Sequence, residues 1–99
     1  MELSDLQVFR AVIKAGGIAR AGEVLHRAQS SVSARIQVLE EKLGVELFTR
    51  EGRKMHLSPS GRILATYADR LLDLASEAAS AVRMDRPIRV VRLGAMEST

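Results

Sequence analysis

The chain has 99 residues, of which 46% are hydrophobic and 3% aromatic, so it can form one small domain, or one domain plus a fragment, around an aliphatic core. It contains no cysteine, which excludes disulfides and thiolate metal sites. Its net charge of +3 and its pI of about 10.0 favour a polyanionic partner only weakly, since many ordinary domains are equally basic.

The sequence contains no apolar run close to the roughly 20 residues that a membrane-spanning helix needs. Its first ten residues, MELSDLQVFR, lack the basic segment and the apolar segment of a secretion signal. We therefore expect a soluble protein of the cytoplasm.

Two helices are predicted at the start of the chain, over Leu3–Ala15 and Ile18–Leu25. The first carries apolar residues at helical spacing, namely Leu6, Phe9, Val12 and Ile13. Ser4 and Gln7 are predicted to form a capping box in its first turn. The inward residues of the second helix are predicted to be Ala21, Val24 and Leu25. A helix this short is only marginally stable alone, so it must pack on its neighbours.

A third helix is predicted in the stretch LHRAQSSVSARIQVLEEKLG, residues 25–44, where Gly44 ends it. Its inward stripe comprises Val32, Ile36, Leu39 and Leu43. The front of this helix carries short polar residues, most of them poor helix formers: Gln29, Ser30, Ser31 and Ser33. The face opposite the stripe is centred on Ser30, Ala34 and Gln37, so small and polar side chains are predicted to be exposed there.

The segment VELFTREGRKMHL is predicted to form a two-stranded hairpin, because apolar residues alternate loosely on both sides of a glycine turn. The turn concentrates positive charge in Arg50, Arg53 and Lys54.

A long helix is predicted to follow, with Ser58 as its N-cap and Pro59 in its first position, and to run to about Met84. Its apolar residues alternate steps of four and three, as in a coiled-coil seam: Leu64, Ala68, Leu71, Ala75, Ala78 and Val82. A helix of about 37 Å is too long for so small a domain to cover, so we expect it to pack against a second copy. The alternative is a core helix within one chain.

Beyond Pro87 the pattern changes to that of a strand, whose apolar residues include Ile88, Val90 and Leu93. A single strand has no partner to pair with. We therefore interpret it as the first strand of a second domain.

Two helices joined by a tight connection, the second with short polar residues at its front, are typical of a helix-turn-helix. Small side chains let the backbone of that helix approach a DNA groove, where serine and glutamine offer hydrogen bonds to bases or phosphates. A basic hairpin beside that helix is typical of the wing of a winged helix, which neutralises phosphates of the DNA backbone. A solvated polar face and an ordinary basic turn are the plain alternatives.

Catalytic patterns are weak in this sequence. His26 and His56 lack a second metal ligand at a useful spacing, and no glycine-rich phosphate loop is present. Glu40 and Glu41 are expected to be surface residues of the third helix rather than an acid–base pair. We expect neither an enzyme nor a metal or resident cofactor in this chain.

The stretch from LQVFRAVIKAGG to LSPSG resembles the DNA-binding domain of LysR-type transcriptional regulators. The resemblance covers residues 3 to about 84 without a gap, and AQSSVSARIQVLEEKLGVELFTR is its most specific part. It implies a mainly α fold. Residues 1–58 would form a winged helix-turn-helix of three helices and a two-stranded wing. Residues 59–84 would form a linker helix for dimerisation, and residues 85–99 the hinge and first strand of an α/β effector domain.

The resemblance also implies a bacterial transcription factor that binds promoter DNA as a dimer, or as a tetramer when full-length. The implied DNA-binding residues are Gln29, Ser30, Ser31, Ser33, Ala34, Arg35, Arg50, Arg53 and Lys54. The implied dimer contacts are those of the seam, from Leu64 to Val82. A small-molecule effector is implied for the full-length protein, near Ser98 and Thr99.

Several positions depart from the usual family pattern, and Ala28 and Ala34 are two of them. Ala28 stands where many relatives have a capping Ser or Thr, which should cost the third helix about 1 kcal/mol. Ala34 stands where many relatives have an Arg that contacts bases. Specificity is then expected to depend more on Gln29, Arg35 and the wing.

A second function stays open from the sequence. The seam helix could recruit a protein partner in an interaction module that binds no specific DNA, with the hairpin and the polar helix face merely solvated.

Overall fold

The computed structural model describes residues 1–51 and 54–84, which form four helices and one antiparallel hairpin. The elements in chain order are α1 (Leu3–Ala15), α2 (Ile18–Leu25), α3 (Gln29–Leu43), β1 (Phe48–Glu51), β2 (Lys54–Leu57) and α4 (Pro59–Met84). This architecture confirms the predicted fold class, a winged helix-turn-helix followed by a long helix. Arg53 of the turn, the strand predicted after Pro87, and the pair Ser98 and Thr99 lie outside the described residues.

The core lies around α1, which packs against α2, α3 and α4. Its buried side chains are aliphatic except for one ring: Leu6, Val8, Phe9, Val12, Ala21, Val32, Ile36, Leu39, Leu47, Ala68 and Leu72. The ring of Phe9 packs against that of Phe48 with centroids 5.5 Å apart and planes inclined by 59°. The first strand of the hairpin is therefore attached to α1.

The turn between α2 and α3 depends on a glycine. The N–H of Arg27 donates to the carbonyl of Gly22 over 2.8 Å, which closes the turn. A Cβ at residue 22 would lie 2.8 Å from the carbonyl oxygen of Arg27, closer than real Cβ atoms approach an oxygen. The absence of a side chain thus allows the turn to be tight.

The prediction that Val24 faces inward is wrong, since 66% of this side chain is exposed. The buried residues of α2 are Ala21 and Gly22. Because successive residues rotate by 100°, a face centred between these two turns Val24 outward. The close approach at Gly22 therefore sets the orientation of α2. Leu43, predicted as the last inward residue of α3, is also exposed.

The first turn of α1 is capped by residues other than the predicted pair Ser4 and Gln7. The helix begins at Leu3, so Glu2 is the N-cap and Asp5 occupies the third helical position. The Asp5 carboxylate accepts the N–H of Glu2 over 3.0 Å, as an acid at this position of a capping box does. The Ser4 hydroxyl instead accepts a hydrogen bond from Arg35.

The start of α4 is bound to the base of the hairpin. The Ser58 hydroxyl accepts the N–H of Gly61 over 2.9 Å, which confirms Ser58 as the predicted N-cap. The same hydroxyl donates to the carbonyl of Glu46 over 2.6 Å, and the Ser58 N–H donates to the carbonyl of Leu47 over 2.9 Å. Gly61 is buried here, and a side chain on it would collide with the carbonyl oxygen of Leu47. We call these contacts the α4 junction.

Gly61→Ala is expected to lower the free energy of unfolding by about 1–3 kcal/mol, because the added methyl group must displace backbone at the α4 junction. Urea denaturation followed by circular dichroism measures this change. Gly17→Ser is the matched control, since its Cβ would enter open space and serine is accepted at the N-cap of α2. Equal stability of the two variants would contradict the role of Gly61.

Candidate nucleic-acid interface

The α3 helix presents one face to solvent because the other is anchored in the core. Val32, Ile36 and Leu39 are buried, as predicted. Ser30, Ala34 and Gln37, at the centre of the opposite face, are all exposed, and so is Val38 beside them. The presented face of α3 therefore carries small, polar or aliphatic side chains and no bulky one.

One flank of α3 forms an open groove with two other parts of the fold. Gln29 and Ser33 lie on this flank, and Arg50 of β1 faces them with its strand partner Met55. Residues 16–19, the turn into α2, complete the lining. The structure thus brings together three of the residues implied for DNA binding, from two elements distant in the sequence. We call this the α3–wing groove.

The wing presents its charges outward. Arg50 and Lys54 are exposed, on the two antiparallel strands, and Lys54 pairs in register with Glu51. Arg53, the third predicted cation, lies outside the described residues. An exposed basic hairpin beside a helix front can neutralise the phosphates of a duplex whose groove that helix enters.

The other flank of α3 carries an ion cluster that the sequence analysis did not predict. Arg35 donates to the Ser4 hydroxyl over 3.0 Å and to the Asp5 carboxylate over 3.2 Å. Lys42 lies 3.6 Å from the other carboxylate oxygen of Asp5. Only 5% of Asp5 is exposed. Arg35, implied by the resemblance to bind DNA, therefore contacts α1 in this structure.

The pKa of Asp5 is lowered from its ordinary value of 3.8. The main cause is the hydrogen bond from the Glu2 N–H, and Lys42 and Arg35 add favourable charge, while burial opposes the shift. The carboxylate is thus ionised at neutral pH. It holds the first turn of α1 against α3. We call Asp5, Arg35 and Lys42 the Asp5 cluster.

Glu40 has a role that its sequence position did not indicate. Its carboxylate accepts the N–H of Leu47 over 2.8 Å, at the end of the loop that leads into β1. A side chain of α3 therefore positions Leu47, the residue immediately before β1. This role is structural, and Glu40 is half-buried rather than a fully exposed surface residue.

The apolar residues of α4 divide between the core and solvent. Among the predicted seam residues, Ala68 is only 1% exposed because it packs in the core of its own chain, and Leu64 and Ala75 are half-buried. Leu71, Ala78 and Val82 are exposed. Other exposed apolar residues of this helix extend the uncovered surface: Ile63, Tyr67 and Leu74. The described part of the chain therefore leaves an apolar stripe on α4 without cover.

Metal-binding clusters and membrane-spanning helices are both absent from residues 1–51 and 54–84. No group of three or more His, Asp or Glu side chains there could hold a metal ion. No helix within those ranges is long and apolar enough to cross a membrane.

The helix pair, the groove and the basic hairpin together define a winged helix-turn-helix protein. The family model of bacterial regulatory helix-turn-helix proteins of the lysR family matches residues 3–62. The chain belongs to this family. Among its relatives, the HTH-type transcriptional regulator YofA of Bacillus subtilis is 41% identical over 99 residues, which are 99% of this chain and 35% of that protein. The chain thus spans about a third of the length of such curated relatives.

Solved structures agree with this assignment. The DNA-binding domain of CbnR in complex with DNA matches with a TM-score of 0.81 and 36% identity, over 85% of this chain and 97% of that one. The DNA-binding domain of BenM in complex with the catB site 1 DNA matches with the same TM-score and 34% identity, over 85% of this chain and 94% of that one.

Ala28→Ser is expected to raise the free energy of unfolding by about 1 kcal/mol. Ala28 is the N-cap of α3, in an extended conformation that a capping serine adopts, and its side chain offers no acceptor to the first helical N–H groups. Thermal and urea denaturation measure the gain. Ala34→Ser, an exposed change inside the same helix, is the control and should not stabilise. A destabilised Ala28→Ser variant would contradict this account of the cap.

Asp5→Asn is expected to lower the free energy of unfolding by about 1–2 kcal/mol at pH 7, because the buried carboxylate loses its charge-assisted hydrogen bonds. The folded-state pKa is lowered, so the stabilisation is present above pH 3.8 and is lost as the pH falls through the lower value. The difference between wild type and variant should therefore shrink in acid.

Urea denaturation at pH 7 and below pH 3 tests this dependence. Asp69→Asn is the matched control: its carboxylate lies 3.7 Å from Arg10 with 62% of the side chain exposed, so its removal should change stability by less than about 1 kcal/mol. An Asp5→Asn variant as stable as wild type at pH 7 would refute the role of the Asp5 cluster.

Proposed function

We propose that this chain is the DNA-binding part of a transcriptional regulator that recognises double-stranded promoter DNA. The presented face of α3 enters the major groove, and the wing lies against the adjacent backbone. The observation that carries the proposal is the α3–wing groove, where Gln29, Ser33 and Arg50 converge beside a helix front of small side chains. Membership of the lysR family and the likeness to two DNA-bound domains support it.

The division of roles follows from chemistry. Gln29 carries an amide, whose donor and acceptor can form a paired contact with a base edge. Arg50 and Lys54 carry positive charges on the exposed hairpin, where they neutralise phosphates without reading sequence. Gln29 therefore contributes discrimination between sites, and the wing contributes affinity that falls as salt rises.

The proposed functional unit is a homodimer formed through α4. This helix has 26 residues, a length of about 39 Å, and its apolar stripe includes Ile63, 62% exposed, and Val82, 73% exposed. Pairing two copies along this stripe covers it. The dimer then presents two α3 helices to two half-sites of the operator.

Three further features belong to the full-length protein in this proposal. It forms a tetramer, binds a small-molecule effector in a domain that follows α4, and acts in the bacterial cytoplasm, where its DNA lies. The family membership is the support for each of them. The alternative function, an interaction module without specific DNA binding, would use the same α4 stripe for another protein, but it leaves the α3–wing groove without a role.

Binding of the 99-residue chain to genomic DNA fragments at two salt concentrations tests the proposal. A defined subset of fragments should be retained at both. Arg50→Ala should weaken binding to every duplex and reduce the slope of log affinity against log salt by about 1, the value for one lost phosphate contact. Gln29→Ala should mainly reduce the preference for retained over random duplexes, by about 1–3 kcal/mol.

Arg83→Ala is the matched control for charge. Arg83 is an exposed arginine in the last turn of α4, at the opposite end of that helix from the hairpin. Its removal subtracts the same net charge and should leave the salt slope unchanged. Affinity that is equal for all duplexes and insensitive to salt would contradict the proposed function.

A further inference from the structure

The side chains on the presented face of α3 form a short ridge whose chemistry changes along its length. Ser30, Ala34 and Val38 follow one another at intervals of four residues, and all three are exposed. Val38 is 45% exposed, although the valine at position 32 of the same helix is fully buried. Exposure of an aliphatic side chain does not stabilise the free protein. A contact that covers Val38 when DNA is bound would give this residue a role.

The cations that could otherwise reach over this ridge are attached elsewhere. Ser31, Ala34 and Val38 share a shallow concavity with the Asp5 cluster, so Arg35 and Lys42 lie beside the ridge. Both contact the carboxylate of Asp5, at 3.2 Å and 3.6 Å. Asp5 is in turn fixed by the Glu2 N–H. The ridge residues of this second half, Ala34 and Val38, therefore offer only methyl groups, with the exposed amide of Gln37 beside them.

We infer that Ala34 and Val38 determine specificity by contacting the 5-methyl groups of thymine in the major groove, and that Asp5 is the positioning residue that keeps Arg35 and Lys42 off the ridge. This inference rests on the proposed function and adds the kind of site that the domain prefers. Apolar contact with the thymine methyl group is the direct way for aliphatic side chains to distinguish base pairs.

The spacing of the two residues fits two base pairs. Residues four apart in a helix are about 6 Å apart along its axis, and successive base pairs are about 3.4 Å apart. Ala34 and Val38 can thus meet thymines about two steps apart. The ridge ends there, because Glu41 follows on the exposed face and its negative charge disfavours further approach to phosphates.

The test uses duplexes selected from a randomised library by the 99-residue chain. Each thymine of a selected duplex is replaced in turn by deoxyuridine, which pairs in the same way and lacks only the 5-methyl group. At one or two positions this replacement should weaken binding about fourfold, the value of one buried methyl-sized group. This measurement needs no variant, so it is independent of any effect on folding.

Val38→Ala should abolish the deoxyuridine penalty at one of these positions. Val45→Ala is the matched control: it removes the same atoms from another exposed valine, beyond the end of α3, and should keep every penalty. Asp5→Asn should increase the salt slope, because it frees Arg35 and Lys42 to contact phosphates. A merely structural role of Asp5 would leave that slope unchanged.

The outcomes separate the two levels of the proposal. Selected duplexes that bind equally with thymine or deoxyuridine at every position overturn this inference alone, and so does a penalty that survives in Val38→Ala. A library in which no duplex is enriched overturns the proposed function, and this inference with it.

Discussion

The burial of three aliphatic side chains on α3 is the constraint on which the rest of the structure depends. Val32 and Leu39 are fully buried and Ile36 nearly so. Each such side chain contributes about 1.5–3 kcal/mol, more than the surface contacts of the helix can supply. These buried side chains therefore fix the rotation of α3 about its own axis. The N-terminal turns of α3 can then consist of poor helix formers, since the stability of α3 does not depend on their intrinsic helix propensity.

Much of the fold could be predicted from local signals. The apolar spacing of α1 and α3, the glycine after α3 and the Ser58–Pro59 start of α4 each give a short-range physical reason for a helix boundary. The errors have tertiary causes. Val24 faces solvent because the backbone approach at Gly22 orients α2, and a short helix has too few apolar residues to reveal its own rotation.

The candidate site was less accessible to prediction, because its contacts join residues far apart in the chain. Gln29 and Arg50 could each be singled out by residue type, but their shared groove required the fold. The Asp5–Arg35 pair spans 30 residues. One signal was present: Asp5 has apolar residues three, four and seven positions later, so it lies on the buried face of α1. A buried acid needs a cationic partner, so this signal predicts a cation beside Asp5, but it does not single out Arg35.

The α4 junction joins the wing and the long helix rigidly, since Ser58 donates hydrogen bonds to the carbonyls of Glu46 and Leu47, the two residues before β1. In the proposed dimer, α4 would then act as a lever. A change of about 10° in the angle at which two such helices cross would displace the far end of a lever of about 39 Å by about 7 Å, or two base-pair steps. The angle at which the two α4 helices pack would thus set the distance between the two α3 helices. A regulator of this kind that changed the angle would favour operators with a different spacing between half-sites.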